Sequence, residues 1–127
     1  MILILDDDEA MAETCSMFLE SQGFEVSIAS CSAQALSMIR EHPPQLLISD
    51  CVMPGMTGTE LSDELRSNVA TSQMPILLMS GSLRGDVAKN GGFDGFLRKP
   101  FLAEDLLLQV RKLLANISTS PIHPVEA

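Results

Sequence analysis

Apolar residues follow two rhythms along this chain. Ile2 to Leu5 is a continuous apolar run that stops at Asp6, Asp7, Asp8 and Glu9, the pattern of a strand buried on both faces and opening at its carboxyl end. Met11, Cys15, Phe18 and Leu19 then recur at helical spacing and Gly23 closes the segment. Residues 9 to 22 therefore read as an amphipathic helix with an acidic first turn, where the helix dipole favours negative charge. The alternation repeats. Glu25 to Ala29 is a short strand, and Ser32 caps a helix carrying Ala35, Leu36 and Ile39 that Pro43 and Pro44 stop. Leu46 to Ser49 is a third buried strand ending at Asp50; Pro54, Gly55 and Gly58 form a loop, and Leu61, Leu65 and Val69 mark the next helix. Pro75 opens a fourth strand, Ile76 to Met79, which delivers Ser80 and Gly81. Leu83 to Gly92 is glycine-rich with sparse apolar positions, so a helix there is short. Phe93 to Leu97 is the fifth strand. Residues 101 to 116 form the clearest helix, with Leu102, Leu106, Val110 and Leu113 or Leu114 on one face.

Five strands alternating with five helices predict an α/β fold: a parallel sheet with helices on both faces, since each parallel crossover needs a helix and the strands are too apolar for a wet face. In such open sheets ligands sit at the carboxyl ends of the strands. Residues 117 to 127 carry two prolines and no periodicity, and read as a tail or linker stub.

The chain has 127 residues, room for one domain with one site. Lys and Arg number 8 against 17 Asp and Glu, a formal net charge of −9, which opposes direct nucleic-acid binding. Its apolar runs are far shorter than the roughly 20 residues of a membrane helix and Met1 lacks a signal-peptide flank, so no membrane insertion and a cytoplasmic location are expected. Cys15, Cys31 and Cys51 are an odd number without metal-ligand spacing, and read as reduced thiols.

The candidate chemistry lies at the strand ends, where Asp6, Asp7, Asp50, Ser80 and Lys99 converge on one rim. Carboxylates so close repel one another unless a cation joins them, and hard oxygen donors suit Mg²⁺ or Mn²⁺. Mg²⁺ binds through one or two carboxylates plus phosphate oxygens, which favours phosphoryl transfer, and a carboxylate is itself able to act as the nucleophile.

ILILDDDEA at the start, LLISD followed by CVMPGMTG, LLMSG, and FLRKPF resemble the receiver domain of two-component response regulators over residues 1 to 116. The resemblance implies a flavodoxin-like (βα)5 doubly wound sheet of strand order 2-1-3-4-5, here with a shortened fourth helix. It makes Asp50 the phospho-accepting aspartate and Asp6 and Asp7 the acidic pair, with Asp7 directly on the metal and the Val52 carbonyl as a further ligand. Ser80 matches the hydroxyl residue that senses the phosphoryl group, Lys99 the family lysine, usually followed by a cis bond to the residue matching Pro100, and Phe96 the switch aromatic. The implied activity is Mg²⁺-dependent phosphoryl transfer from a histidine kinase or histidine phosphotransfer protein, then slow autodephosphorylation. The receiver switches its contacts with a downstream protein or fused output domain.

Two other readings compete. A phosphorylation-independent binding domain of the same fold is favoured only by the altered Leu83 to Gly92 region. A phosphohydrolase using Asp6 and Asp8 lacks a substrate module and leaves Asp50 idle. No G-x-x-x-x-G-K-[ST] or G-x-G-x-x-G loop follows any strand.

Overall fold

The computed structural model describes residues 1–50, 57–81 and 93–119. In chain order the elements are β1 (Ile2–Leu5), α1 (Glu9–Ser21), β2 (Val26–Ala29), α2 (Ser32–Glu41), β3 (Leu46–Asp50), α3 (Gly58–Arg66), β4 (Ile76–Ser80), β5 (Gly95–Arg98) and α4 (Ala103–Thr119). The five strands form one parallel sheet in the order β2-β1-β3-β4-β5. This is the doubly wound, flavodoxin-like architecture expected. The segment read as a short fourth helix lies outside the described residues, so the last described helix, α4, is the fifth of the sequence reading.

Strand alternation divides the core into two layers. Ile2, Ile4, Leu46, Ile48, Leu77 and Met79 face one side, where they pack with Ala12, Cys15 and Leu19 of α1 and Leu106, Val110 and Leu113 of α4. Leu3, Leu5, Leu47, Ile76 and Leu78 face the other, against Ala35 and Ile39 of α2 and Leu61 and Leu65 of α3. Two covered faces explain why the central strands β1, β3 and β4 are nearly continuous apolar runs: every position in them but Asp50 is buried, while the edge strands β2 and β5 are mostly half-buried.

The helix ends follow local chemistry. Asp8 caps α1, its Oδ1 accepting from the Met11 N–H at 3.2 Å. Gly23, with φ of +96°, closes α1 in a left-handed turn in which the Phe24 N–H bonds the Leu19 carbonyl and the Gly23 N–H the Glu20 carbonyl. A capping box formed by Thr57 and Glu60 starts α3, so Gly58 is its first residue instead of part of the loop.

Further boundaries differ from the sequence reading: β2 starts at Val26 and not Glu25, and β5 runs Gly95–Arg98 and not Phe93 to Leu97. Ser32 does not cap α2: Cys31 holds that position, the Ser32 hydroxyl is buried without a hydrogen bond, and Gln34 reaches back to the Ser30 N–H at 2.9 Å. Val69 lies beyond α3 and is 92% exposed, because Ser67 and Thr71 hydroxyls take the Glu64 and Leu65 carbonyls and turn the chain away. Leu102 precedes α4 and is exposed, so it does not belong to the buried stripe. The helix then continues to Thr119, three residues beyond the expected end at 116.

Candidate functional site

Because the strands are parallel, β1, β3, β4 and β5 all end on one edge of the sheet. Asp6 directly follows β1, Asp50 ends the neighbouring β3, Ser80 ends β4 and Lys99 directly follows β5. Lys99 must reach past β4 to meet Asp50, two strand spacings of about 4.8 Å each, a gap that its extended stem and the Asp50 side chain close from both sides. Its Nζ lies 3.5 Å from Asp50 Oδ1 and 3.5 Å from Asp6 Oδ2. The Lys99 backbone is fixed by its N–H donating to the Ser80 carbonyl at 2.7 Å, and the Lys99–Pro100 bond is cis.

Carboxylate oxygens of Asp6, Asp7 and Asp50 lie within 4.8 Å of one another. Asp6 is fully buried, Asp50 half-buried and Asp7 exposed, so the trio grades from the sheet interior to solvent. Asp6 Oδ1 accepts from the Asp8 N–H at 2.9 Å, while Oδ2 is buried and, among the described residues, has no hydrogen-bond donor and only the Lys99 ammonium facing it. Burial pushes the Asp6 carboxyl above its ordinary range and the Asp50 charge adds to this, against the Asp8 N–H and Lys99, which pull it down. With all three acids ionised, they carry −3 and Lys99 +1, leaving −2 in the cluster. At an effective dielectric near 20, each acid pair about 4.8 Å apart repels by roughly 3.5 kcal/mol; Lys99 sits 3.5 Å from two of the acids and offsets much of this, but the cluster keeps its net negative charge. A divalent cation would cancel the remainder. The hard oxygen donors and the orphaned, buried Asp6 Oδ2 fit Mg²⁺ or Mn²⁺ and not a thiolate-seeking metal.

The predicted site residues Asp6, Asp7, Asp50 and Lys99 are thus brought together. Ser80 is buried at the end of the intervening strand. Phe96, on β5, packs half-buried on the α2/α3 layer with its ring centroid 6.3 Å from that of Phe93, away from the aspartates along the strand. Val52 and Cys51 lie outside the described residues. The acidic run divides its labour: Asp6 belongs to the cluster, and Asp8 caps α1.

The sequence reading missed a second charged network. From α3, Arg66 Nη1 donates to the carbonyls of Ser72 at 3.1 Å and Met74 at 2.6 Å, and its Nη2 bonds Asp94 Oδ2 at 2.6 Å. The same Asp94 oxygen accepts from the Ile76 N–H at 2.9 Å. This clamp ties α3, the 67–75 connection and the starts of β4 and β5. The partners are 28 residues apart, so no local pattern announces them.

A sequence profile described as the response regulator receiver domain matches residues 2–111. The chain is 31% identical over 123 residues to the DNA-binding response regulator MtrA of Mycolicibacterium paratuberculosis, covering 94% of this chain and 53% of that protein. It is 37% identical over 129 residues to the response regulator MprA of Mycobacterium avium, covering 99% and 55%. The chain therefore spans about half the length of these relatives. Among solved structures, a CheY-like receiver domain protein from Methanospirillum hungatei superposes with a TM-score of 0.87 at 29% identity, covering 94% of this chain and 96% of that one. The chemotaxis protein CheY4 of Vibrio cholerae does so with a TM-score of 0.84 at 30% identity, covering 88% and 96%. Sheet order, acidic cluster, lysine and profile agree, and the chain belongs to the response regulator receiver domain family.

Proposed function

We propose that this receiver accepts a phosphoryl group on Asp50 from a phosphohistidine of a histidine kinase or histidine phosphotransfer protein, and that the modification switches contacts with a downstream protein or fused output domain. The observation that carries this reading is the Lys99 ammonium 3.5 Å from Asp50 Oδ1, beside two further carboxylates within reach of one cation.

An Asp50 carboxylate oxygen attacks the donor phosphorus in line; the new O–P bond forms as the N–P bond breaks, and the imidazole leaves with the electron pair and takes up a proton. Lys99 pairs with one equatorial oxygen of the transferring group and the Ser80 hydroxyl donates to another. Asp6 and Asp7, with Asp50 and the Val52 carbonyl, would hold Mg²⁺, or Mn²⁺ in its place. When bound, the ion neutralises charge building on the phosphoryl oxygens. Hydrolysis reverses the modification: a water oxygen bonds to phosphorus, the acyl phosphate O–P bond breaks, and inorganic phosphate leaves Asp50 free. Ser80 drawn toward the phosphoryl group makes room for the Phe96 ring to turn inward, which is the switch. The added charge at the rim acts on a two-state face.

The acidic balance of this chain argues against nucleic-acid contact by the receiver itself, and DNA binding named for the MtrA relative belongs to a protein only 53% covered here.

The test is intact-mass analysis after incubation with acetyl phosphate, with and without Mg²⁺, for the native chain, Asp50→Asn and Lys99→Met. A Mg²⁺-dependent gain of one phosphoryl group that is lost in Asp50→Asn and strongly reduced in Lys99→Met is expected. A gain that persists in Asp50→Asn refutes the assignment. A chain that neither gains the group nor binds an acyl-phosphate mimic is a phosphorylation-independent binding domain.

A further inference from the structure

At the edge of the sheet opposite the aspartates, where α2 and α3 run back to the starts of β3 and β4, a cleft of about 620 Å³ opens between the two helix ends. Leu36, Ile39 and Leu65 form its apolar wall, and Val69, 92% exposed, stands on its rim. Arg40 from α2 and Glu64 from α3 also line it; both are exposed, and neither forms an ion pair among the described residues.

We propose that this cleft is a self-association surface, occupied by a second copy of the chain in a two-fold arrangement. Each Val69 seats against the half-buried Leu36 of the other copy, and each Arg40 meets the partner's Glu64. Three observations favour a second copy over another molecule. The cleft carries one unpaired charge of each sign; a two-fold axis pairs both at once, whereas a partner of one charge type leaves one of them facing a like charge. The connection from Ser67 to Pro75 contains no charged residue, in a chain of net charge −9. Two acidic copies approach with least repulsion along such a rim. Finally, the patch offers both a projecting β-branched side chain and the hollow that receives one, which is what an isologous contact needs. One apolar contact and one ion pair per half of the interface make for weak association, expected in the range of about 10 μM to 1 mM. The proposal does not depend on phosphorylation of Asp50.

Sedimentation equilibrium of the full chain, from about 10 μM to 1 mM at physiological salt, tests it with Val69→Asp, Arg40→Glu and the double exchange Arg40→Glu with Glu64→Arg. All three positions are exposed, and circular dichroism checks that each variant folds. Val69→Asp and Arg40→Glu should weaken the native dimer at least about tenfold, since the first sets a carboxylate against Leu36 and the second sets two acids face to face. The double exchange should return to within about threefold of the native constant. A native chain that stays monomeric to 1 mM overturns the proposal and leaves the cleft to a different molecule. So does a dimer indifferent to these substitutions, which places the contact elsewhere, for instance around the exposed Leu102 and Leu108.

Discussion

Replacing Arg66 by methionine keeps the aliphatic stem on α3 and removes the guanidinium from four groups at once. The ion pair with Asp94 is only partly shielded, the two side chains being 24% and 44% exposed, so it is worth about 0.5–1 kcal/mol. The bonds to the Met74 and Ser72 carbonyls, at 2.6 and 3.1 Å, are charge-assisted. They contribute about 1 kcal/mol each after exchange with water, and the contact to the Thr71 carbonyl at 3.4 Å adds little. The expected loss is therefore about 2–3 kcal/mol. Asp94→Asn keeps an acceptor for the Ile76 N–H and loses only the pair, so it should cost about 1 kcal/mol or less. Arg66→Lys presents a point charge where a planar fork spans several acceptors, and should recover less than half of the loss. Equilibrium urea unfolding at neutral pH measures all three, with the slope of each curve confirming that only the midpoint moves. Repeating the series in about 1 M NaCl should shrink the Asp94→Asn effect and leave most of the Arg66→Met effect, because screening acts on the ion pair. An Arg66→Met loss below about 0.5 kcal/mol, or an Asp94→Asn loss as large, would falsify the view that the carbonyl bonds dominate the clamp.

Three further outcomes follow from the same geometry. Asp6 holds its proton more tightly in the fold than in the unfolded chain, so its contribution is favourable below the ordinary carboxylate value of 3.8 and is lost as pH rises through the raised folded value. Asp6→Asn should therefore stabilise the metal-free protein at pH 7, by about 1–2 kcal/mol given the repulsions involved, and reduce the rise in Tm on adding Mg²⁺; destabilisation would contradict the assignment of Asp6 as a burdened acid. Buried Cys15, its thiol pushed up by burial and then by the Asp6 charge from 9.0, should resist alkylation while exposed Cys31 reacts. Unfolding titrations should show stability falling by up to about 1.4 kcal/mol per pH unit above that value, because the unfolded chain loses the proton first. Finally, a Cβ on Gly95 would lie 3.1 Å from Leu77 Cδ1 and 3.2 Å from Leu113 Cδ1, so Gly95→Val should lower stability by about 1–3 kcal/mol; a neutral result in thermal melts would mean that α4 shifts freely on β5.

What the sequence reveals well is what strand burial dictates. Four apolar runs ending in Asp6, Asp50, Ser80 and Lys99 locate both the parallel sheet and the reactive edge, because parallel strands covered on both faces have no other sequence expression. Pairing order came through the resemblance, since apolar runs alone do not say which strand is neighbour to which. Helix ends were read less well. Val69 continues the spacing of Leu61 and Leu65, and only the hydroxyls of Ser67 and Thr71, acting on carbonyls one turn back, break it. The Thr57 to Glu60 capping box was legible as a T-x-x-E pattern and was passed over in favour of the neighbouring glycines. Nothing local pairs Arg66 with Asp94, and no pattern separates the buried Asp6 from the exposed Asp7 beside it.

The strand order has a bearing on how the chain acquires its charges during synthesis. β1 is flanked by β2 and β3, so the first 50 residues already bring the three aspartates to one edge. Lys99 follows β5, which joins the far side of the sheet last. A chain truncated before β5 would therefore lack the lysine counter-charge for the acids of that edge.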